Sequence, residues 1–285
     1  MKKITLLALV AVFGTKAMAQ GEANDKTFRF GLNVAPSLNW YSPDDKKKFE
    51  SEGTVLKFAW GLTTDFRITE NIWFSTGLGM SSDGGKINFS ENPTKRVGYM
   101  FGNNEIFDYE LKKDQGSFSP DTASRDYDFV LLSGREYRVN YITIPLLLKM
   151  KTNEIGYMTY FGQFGVNTHI RSKARAFDTG VAYNDAFSPV AATNQPDLTE
   201  LDITKEIQPI RMNLVVGLGI EYNLAGTTSV FGALNFNYGI TNAVKKESTH
   251  LIMASPQELN NGKFRQYSPQ KFIPFSMGLT VGVLF

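Results

Sequence analysis

The fold of this chain is decided by its last fifteen residues, 271–285, which read KFIPFSMGLTVGVLF. From Ile273 to Phe285 every second residue is large and apolar, whereas most of the residues between them are small or polar. Successive side chains of a strand point to opposite faces, so a period of two indicates a β-strand with one continuous apolar face. The segment therefore predicts an amphipathic strand that ends the chain.

The same period of two recurs upstream, in segments near the roughly 9–11 residues that a tilted transmembrane strand needs. Seven such segments precede the last one: 28–35, 56–66, 74–80, 142–149, 157–170, 210–222 and 229–240. After residue 20, no stretch of the sequence approaches the roughly 18 consecutive apolar residues of a spanning helix. The sequence therefore predicts an all-β chain with eight strands.

The second row of each strand distinguishes two kinds of β protein. A soluble β-sandwich or a lipocalin-like barrel would turn its apolar row inward and carry many outward Lys, Glu and Asp residues. Here the second row is mostly Gly, Ala, Ser, Thr and Asn. Such residues suit the cramped, hydrated interior of a narrow barrel, so we expect the apolar rows to face lipid.

The connections between these segments alternate between short and long. The short ones are 67–71, 151–156 and 223–227, and the long ones are 39–54, 81–136, 171–207 and 241–270. Residues 127–140, which begin in the second long connection, are expected to extend the fourth strand. This alternation predicts an eight-stranded antiparallel up-and-down transmembrane β-barrel with short periplasmic turns, long extracellular loops and both termini in the periplasm.

The N-terminus has the features of an export signal, which predicts residues 1–19 as a signal peptide and 20–285 as the outer-membrane β-barrel domain. Lys2 and Lys3 precede an apolar run, and Ala17 and Ala19 form the small-x-small pattern for cleavage before Gln20. The predicted location is the outer membrane of a Gram-negative bacterium, and the first predicted partner is outer-membrane lipid.

The charge balance argues against a nucleic-acid partner. Removing residues 1–19 takes away three lysines and no acid, so 30 basic and 28 acidic residues become 27 and 28. Binding nucleic acid requires a concentrated basic surface to neutralise phosphates, which this balance does not supply. The chain also has no cysteine, so neither a disulfide nor a lipid-modified cysteine is expected.

Five charged residues fall in the inward row near the predicted periplasmic end: Arg29, Asp65, Arg67, Lys149 and Glu221. We predict that they form a lumenal charge cluster. Its role stays open between a gate or docking patch that faces the periplasm and a salt-bridged plug that fills the lumen. Buried opposite charges must be paired, which favours the plug.

Enzymatic chemistry has little support in the sequence. The two histidines, His169 and His250, have no metal-ligand neighbours at the usual spacings. His169 lies in the inward row and is interpreted as a hydrogen-bonded polar side chain at the mouth of the barrel. We predict no catalytic residue, no metal, no cofactor and no enzyme activity, with a lipid or peptide hydrolase site built from loops as an open alternative.

Two adjacent segments resemble a known family. Residues 141–149 read YITIPLLLK and residues 160–165 read YFGQFG, similar to the Tyr-Leu-x-Ile-Pro-Leu-Leu-Leu-Lys and aromatic-x-Gly segments of PorT-like outer-membrane β-barrel proteins of Bacteroidetes. The resemblance covers essentially the whole mature chain. It implies an outer-membrane barrel, often labelled porin family and mostly of undefined role, whose founding member belongs to a protein-secretion and gliding system.

The C-terminal row carries a further expectation from the same resemblance. Phe285, with Val283 in its row, resembles the signal by which the barrel-assembly machinery recognises its clients, which implies that machinery as a partner during insertion. If the last strand closes the ring against residues 27–38, Phe285 should lie beside Phe28 at the periplasmic rim.

Three function classes follow. The preferred one is a non-enzymatic outer-membrane protein that uses its barrel as an envelope anchor and its loops for binding or for assembly with other envelope proteins, including those of a secretion system. The second is a small passive channel, which the narrow bore of eight strands disfavours. The third is the outer-membrane hydrolase already named.

Overall fold

A computed structural model describes residues 27–90, 96–106, 128–183, 189–226, 228–253 and 265–285. The predicted signal peptide and its cleavage residues Ala17, Ala19 and Gln20 lie outside these ranges. In the described part, the two short helices are 3₁₀ helices at Ala192–Asn194 and Thr204–Glu206. None of the described helices has the length and apolar character to cross a membrane.

The described chain is otherwise built from strands. They are β1 (Phe28–Pro43), β2 (Phe49–Ser51), β3 (Val55–Arg67), β4 (Ile72–Phe89), β5 (Val97–Gly102), β6 (Glu105–Ile106), β7 (Asp128–Lys151), β8 (Met158–Tyr183), β9 (Leu201–Asp202), β10 (Ile210–Ala225), β11 (Thr228–Gly239), β12 (Glu247–Met253), β13 (Arg265–Pro269) and β14 (Phe272–Leu284). All strand pairings are antiparallel, which confirms the predicted all-β antiparallel fold.

Eight of these strands form a closed ring. Its order is β1, β3, β4, β7, β8, β10, β11 and β14, with β14 paired back to β1. Each predicted periodic segment lies mainly within one of these strands. We call the end of the ring that carries the three short connections, β3 to β4, β7 to β8 and β10 to β11, the turn end, and the opposite end the loop end.

The two faces of the ring differ sharply in chemistry. Its outer face exposes large apolar side chains, such as Leu32, Trp60, Leu218 and Leu279, which are 49–72% exposed. The inner rows are small in part because the backbones of neighbouring strands leave little room: a Cβ on Gly77 of β4 would lie 2.1 Å from the carbonyl oxygen of Leu62 on β3. An apolar exterior around a small, polar interior is the pattern of a barrel that faces lipid.

The ring closes along the seam between β1 and β14. At this seam Phe285 lies two residues along β1 from its expected neighbour, Phe28. Phe285 exchanges backbone hydrogen bonds with Phe30, and their rings are 5.5 Å apart. Phe28 instead packs on Phe66 at 5.2 Å. The expected contact between Phe285 and Phe28 is therefore wrong, because Phe285 lies opposite Phe30, whereas β1 begins two residues earlier, at Phe28.

The long connections are far more regular than expected. The expected extension of the fourth strand over residues 127–140 is confirmed, since β7 begins at Asp128, but β4 also runs on to Phe89, within a segment expected to be a loop. Residues 171–207 likewise contain the end of β8, which continues to Tyr183. The extensions of β4 and β8 were not predicted from lipid-facing rows because their apolar side chains point inward, as Ile87 and Phe89 do with exposures of at most 4%.

Candidate functional site

A layer of charged side chains fills the lumen at the turn end. Lys149 on β7 reaches across the lumen to Asp65 on β3, with Nζ 3.1 and 2.9 Å from the two carboxylate oxygens. The Asp65 side chain is fully buried, and that of Lys149 is 4% exposed. An alternating strand brings such groups together because residues of one row all point into the lumen.

The second half of this layer is built around Glu221 on β10. Arg29 Nη1 donates to Glu221 Oε2 at 2.9 Å, and Arg29 Nη2 donates to the Ser229 hydroxyl at 2.7 Å. Lys151 Nζ lies 2.6 Å from Glu221 Oε1 and 3.9 Å from Asp65 Oδ2, so it links the two halves. We call Arg29, Asp65, Lys149, Lys151 and Glu221 the ionic layer.

Aromatic rings enclose the two lysines of the ionic layer. The Lys149 ammonium lies 5.4 Å from the ring centre of Phe161 and 5.3 Å from that of Phe231. The Lys151 ammonium lies 4.6 Å from the Trp73 ring. Cations attract the faces of aromatic rings, and this attraction is stronger when water is excluded. The arrangement suits a fixed plug better than an open passage.

The structure brings together four of the five charges predicted for this cluster. Arg67 lies at the end of β3, half-buried, and its Nε donates to the carbonyl of Thr69 in the turn at 3.4 Å. Sequence reasoning missed Lys151, because it placed the end of the strand at Lys149. The signal was present, since Lys151 is two residues further along the same inward row.

A cavity of about 190 Å³ lies in the lumen, on the loop-end side of the ionic layer, with polar side chains along part of its wall. Neutral side chains from three strands hydrogen-bond across its walls: Gln163 donates to Asn235 at 2.5 Å, Asn235 to Thr280 at 2.9 Å, and Asn237 to Ser276 at 3.0 Å. Its volume corresponds to on the order of ten water molecules. The cavity is therefore a small chamber with room for water, not a wide passage.

The upper limit of this chamber is a buried ion pair between Arg211 on β10 and Asp83 on β4. The Arg211 guanidinium also lies 4.6 Å from the ring centre of Tyr141. Beside this pair, His169 shares a hydrogen bond of 2.9 Å with the hydroxyl of Thr143. His169 is 6% exposed, so it lies within the lumen wall and not at an open mouth.

Above this pair, the loop end is closed by a hydrophobic core that we call the cap. It draws on the extended ends of the ring strands and on the strands outside the ring, and it includes Tyr41, Phe49, Ile87, Phe89, Val97, Tyr99, Phe101, Val130, Leu132, Tyr137, Val139, Leu198, Leu201, Ile203, Ile207, Leu251 and Phe272. Phe272 illustrates its packing, with ring centres 5.2 Å from Phe49 and 5.9 Å from Tyr137. The cap is thus a folded unit, not a set of separate loops.

A polar network is embedded in the cap. Arg135 donates from Nε and Nη2 to the two carboxylate oxygens of Asp178, at 2.7 and 2.6 Å. The Tyr99 hydroxyl donates to the same carboxylate at 2.9 Å. Burial, and secondly the negative charge of Asp178, raise the pKa of Tyr99 well above its usual value near 10. The Tyr99 hydroxyl is therefore held neutral, as a hydrogen-bond donor, at neutral pH.

The cap also contains the second histidine, next to a serine and an acid. His250 Nδ1 lies 3.2 Å from Glu206 Oε1, and the Ser248 hydroxyl donates to that same carboxylate oxygen. A hydrolytic triad needs the serine to donate to the histidine, which then takes its proton. Here the serine donates to the acid instead, and both Ser248 and His250 are 2% exposed. The three residues therefore lack the order of a hydrolytic triad and lie in the interior of the cap.

No metal-binding group of His, Cys, Asp and Glu occurs among the residues that the structure describes. The closed antiparallel ring with its apolar exterior defines an outer-membrane barrel-like protein. The model of the outer membrane protein beta-barrel domain matches residues 18–245, and the chain belongs to this family. Family membership indicates a location in the outer membrane.

Comparison with curated protein sequences gives no match. Among solved structures, the chain is similar to Neisserial surface protein A, with 9% identity, a TM-score of 0.40 and coverage of 91% of this chain and 96% of that one. It is similar to OprG from Pseudomonas aeruginosa, with 10% identity, a TM-score of 0.39 and coverage of 93% and 99%. It is also similar to Ail of Yersinia pestis in complex with the heparin analogue sucrose octasulfate, with 8% identity, a TM-score of 0.33 and coverage of 91% and 100%.

Proposed function

We propose that this protein is a non-enzymatic outer-membrane barrel that anchors a folded platform for binding or assembly at the cell surface. The observation that carries this proposal is the cap. Strands β7 and β8 have 24 and 26 residues, more than twice the roughly 9–11 residues that a crossing needs. The excess length builds the cap, whose buried core holds the surface above it in one shape.

The proposed orientation has the turn end in the periplasm and the cap outside the cell. Short turns on the periplasmic side and longer connections on the outer side are the rule for bacterial outer-membrane barrels. Protease added to intact cells tests this orientation. Cleavage in the cap connections with survival of the membrane-embedded strands is expected, and cleavage only after the outer membrane is opened would reverse the orientation.

The filled lumen supports an anchor over a passive channel. The ionic layer, the pair of Arg211 with Asp83 and the cap close the interior at three heights, and the four acidic and basic side chains Asp65, Lys149, Lys151 and Glu221 are each at most 8% exposed. In planar bilayers we expect the refolded protein to show no stable conductance steps. Reproducible openings by the wild-type protein would replace the anchor with a channel.

We also propose a link to envelope assembly or protein secretion, which rests on the resemblance of residues 141–149 to PorT-like proteins. The test is a pull-down of the tagged full chain from its native outer membrane after mild cross-linking. A stoichiometric envelope or secretion-system protein is expected. Recovery of lipid and of the barrel-assembly machinery alone would leave the protein a surface binder without this link.

A further inference from the structure

A basic surface lies on the outer face of the barrel, directly beyond the lipid-facing band. The outward row of β7 passes from Ile142 to Asn140 and Arg138, and that of β8 passes from Ile170 to Lys173 and Arg175. Ile142 and Ile170 are 39% and 40% exposed apolar residues at the upper edge of the band. We call Arg138, Lys173 and Arg175 the basic rim.

The strand register places these cations side by side. Arg138 is paired directly with Arg175, and Asn140 is paired with Lys173. Residue 172 has no partner on β7, since Tyr141 pairs with Arg171 and Asn140 with Lys173. This bulge turns Lys173 and Arg175 to the outer face, in phase with Arg138. Like charges opposite each other destabilise a strand pair, so the arrangement favours an anion between them.

The guanidinium of Arg138 is already oriented. It lies 3.8 Å from the ring centre of Phe177, and its Nε donates to Glu136 at 2.7 Å. Its two terminal nitrogens donate to none of the residues that the structure describes, and its side chain is 49% exposed. A stacked guanidinium with free terminal N–H groups is pre-organised for a phosphate, which it can bind through two parallel hydrogen bonds.

The acids around the basic rim do not cancel it. Arg175 pairs with Asp202 at 2.9 Å, and Glu136 is shared between Arg138 and Lys57, whose Nζ lies 3.5 Å away. The four cations Lys57, Arg138, Lys173 and Arg175 therefore face two carboxylates, which leaves a local charge of about +2. Lys173 is exposed, and among the described residues it has no ion-pair partner.

We propose that the basic rim binds the phosphate groups of a phosphorylated glycolipid in the leaflet that surrounds the loop end. A lipid is the occupant because the rim lies within one or two ladder steps of the apolar band, so that acyl chains on Ile142 and Ile170 and a headgroup on Arg138 and Lys173 are contacted together. This inference rests on the proposed orientation, since it places the rim in the outer leaflet.

The experiment uses the mature full chain in detergent with diphosphorylated lipid A, and native mass spectrometry counts the retained lipid. We compare the wild type with Arg138→Gln/Lys173→Gln, and with Lys46→Gln/Lys47→Gln as a control that removes the same charge from exposed lysines between β1 and β2. Each basic residue near a lipid surface contributes about fivefold in affinity. We expect the rim variant to lose that factor for each charge and the control to retain the lipid.

Two further arms define the ligand. Lipid A without its phosphates should bind the wild type as weakly as diphosphorylated lipid A binds the rim variant. The deacylated headgroup should bind far more weakly than the intact lipid, and equal binding would make this a soluble sugar-phosphate site. Equal retention by the rim variant and the control overturns the proposal. Lipid retention in detergent does not depend on the orientation of the protein in the membrane. The rim can therefore bind the lipid in this experiment even if the protease test on intact cells contradicts the proposed orientation.

Discussion

The lumen is closed at both ends, by opposite means. At the turn end, the ionic layer joins charges from β1, β3, β7 and β10 across a short distance. At the loop end, the cap joins aromatic and aliphatic side chains from most of the strands outside the ring. Charge pairs depend on direction and on each partner, whereas apolar burial depends on how well the whole volume is filled. The two ends should therefore respond differently to substitution and to pH.

The largest expected effect comes from opening a space in the cap. Phe272→Ala removes a fully buried ring that packs on Phe49, Tyr137 and Tyr41. The free energy of unfolding of the cap should fall by about 3–5 kcal/mol, as for other buried Phe-to-Ala changes. Limited proteolysis in a urea series should then cleave within the strands of the cap at a lower urea concentration than in the wild type, while the membrane-embedded strands survive.

The matched control is Phe58→Ala, because Phe58 is 52% exposed on the lipid-facing side of β3. It should leave the protease resistance of the cap unchanged. If both variants released the cap at the same urea concentration, the cap would not be a unit distinct from the ring, and the contrast between the two ends would fail.

The next effect is at the turn end. Asp65→Asn removes the charged acceptor of Lys149 and should cost about 1.5–3 kcal/mol in the free energy of unfolding of the ring. The double variant Asp65→Leu/Lys149→Met should recover part of this loss, because a buried pair replaced as a whole leaves no unpaired charge. Urea unfolding in lipid vesicles, followed by tryptophan fluorescence, measures both.

The same variants separate a plug from a gate. In planar bilayers, Asp65→Asn should remain non-conducting, because the pair of Arg211 with Asp83 and the cap still close the lumen above it. Stable conductance in this single variant would show that the ionic layer alone holds the passage shut. The turn end would then be the gate, and the cap would be permeable.

How far sequence reasoning reached also differs between the two ends. The ionic layer was predictable in large part, because the period of two along each ring strand sets which charges point inward, and Asp65, Lys149 and Glu221 follow that rule. Lys151 was missed only through a strand end placed two residues early. The cluster could be predicted because these charges all lie at the same end of strands whose order follows the chain, but the period of two does not say which acid pairs with which base.

The cap was not predictable in the same way. Its core joins Phe49, Tyr99, Leu251 and Phe272, which come from four separate segments without a shared period. Its strand order also departs from chain order, since β12 pairs with β5 and β5 with β7. The aromatic residues of the long second connection make it too apolar for a disordered loop, but their partners depend on tertiary packing that no local pattern encodes.

A smaller, pH-dependent effect should distinguish the ends further. The pKa of Tyr99 is raised in the folded cap by burial and by Asp178. A raised folded pKa stabilises the cap fully below the unfolded value near 10, and this stability is lost as pH rises above 10. The loss should be about 1.4 kcal/mol per pH unit between those two pKa values.

Proteolysis of the cap measures this loss when it is repeated at a series of pH values from about 9 to about 11.5, a range that brackets the unfolded tyrosine pKa of about 10. In Tyr99→Phe, the free energy of unfolding of the cap should fall less steeply with pH, because one titrating proton is gone. The variant should also start from a lower stability, because the hydrogen bond to Asp178 is lost. An unchanged slope in Tyr99→Phe would mean that other groups control the alkaline loss of the cap.

The smallest effect concerns the seam between β1 and β14. Phe285 lies on this seam at the turn end but is not part of the ionic layer. Phe285→Ala removes a ring that lies 5.5 Å from Phe30 but keeps the backbone hydrogen bonds between the two residues. An aromatic pair contributes about 0.5–1.5 kcal/mol beyond area burial, so the folded ring should lose little stability. Insertion into the outer membrane should suffer more, since the terminal row resembles the signal read by the barrel-assembly machinery.

The two consequences are measured separately, by urea unfolding of refolded protein and by the fraction of exported protein that reaches the outer membrane. Phe28→Ala is the control, because Phe28 lies at the same rim but packs on Phe66 across β1 and β3 instead of across the seam. If Phe285→Ala and Phe28→Ala reduced insertion equally, the seam would have no special part in assembly. A defect confined to Phe285→Ala would place the assembly signal in the last residue, apart from the charges that close the same end.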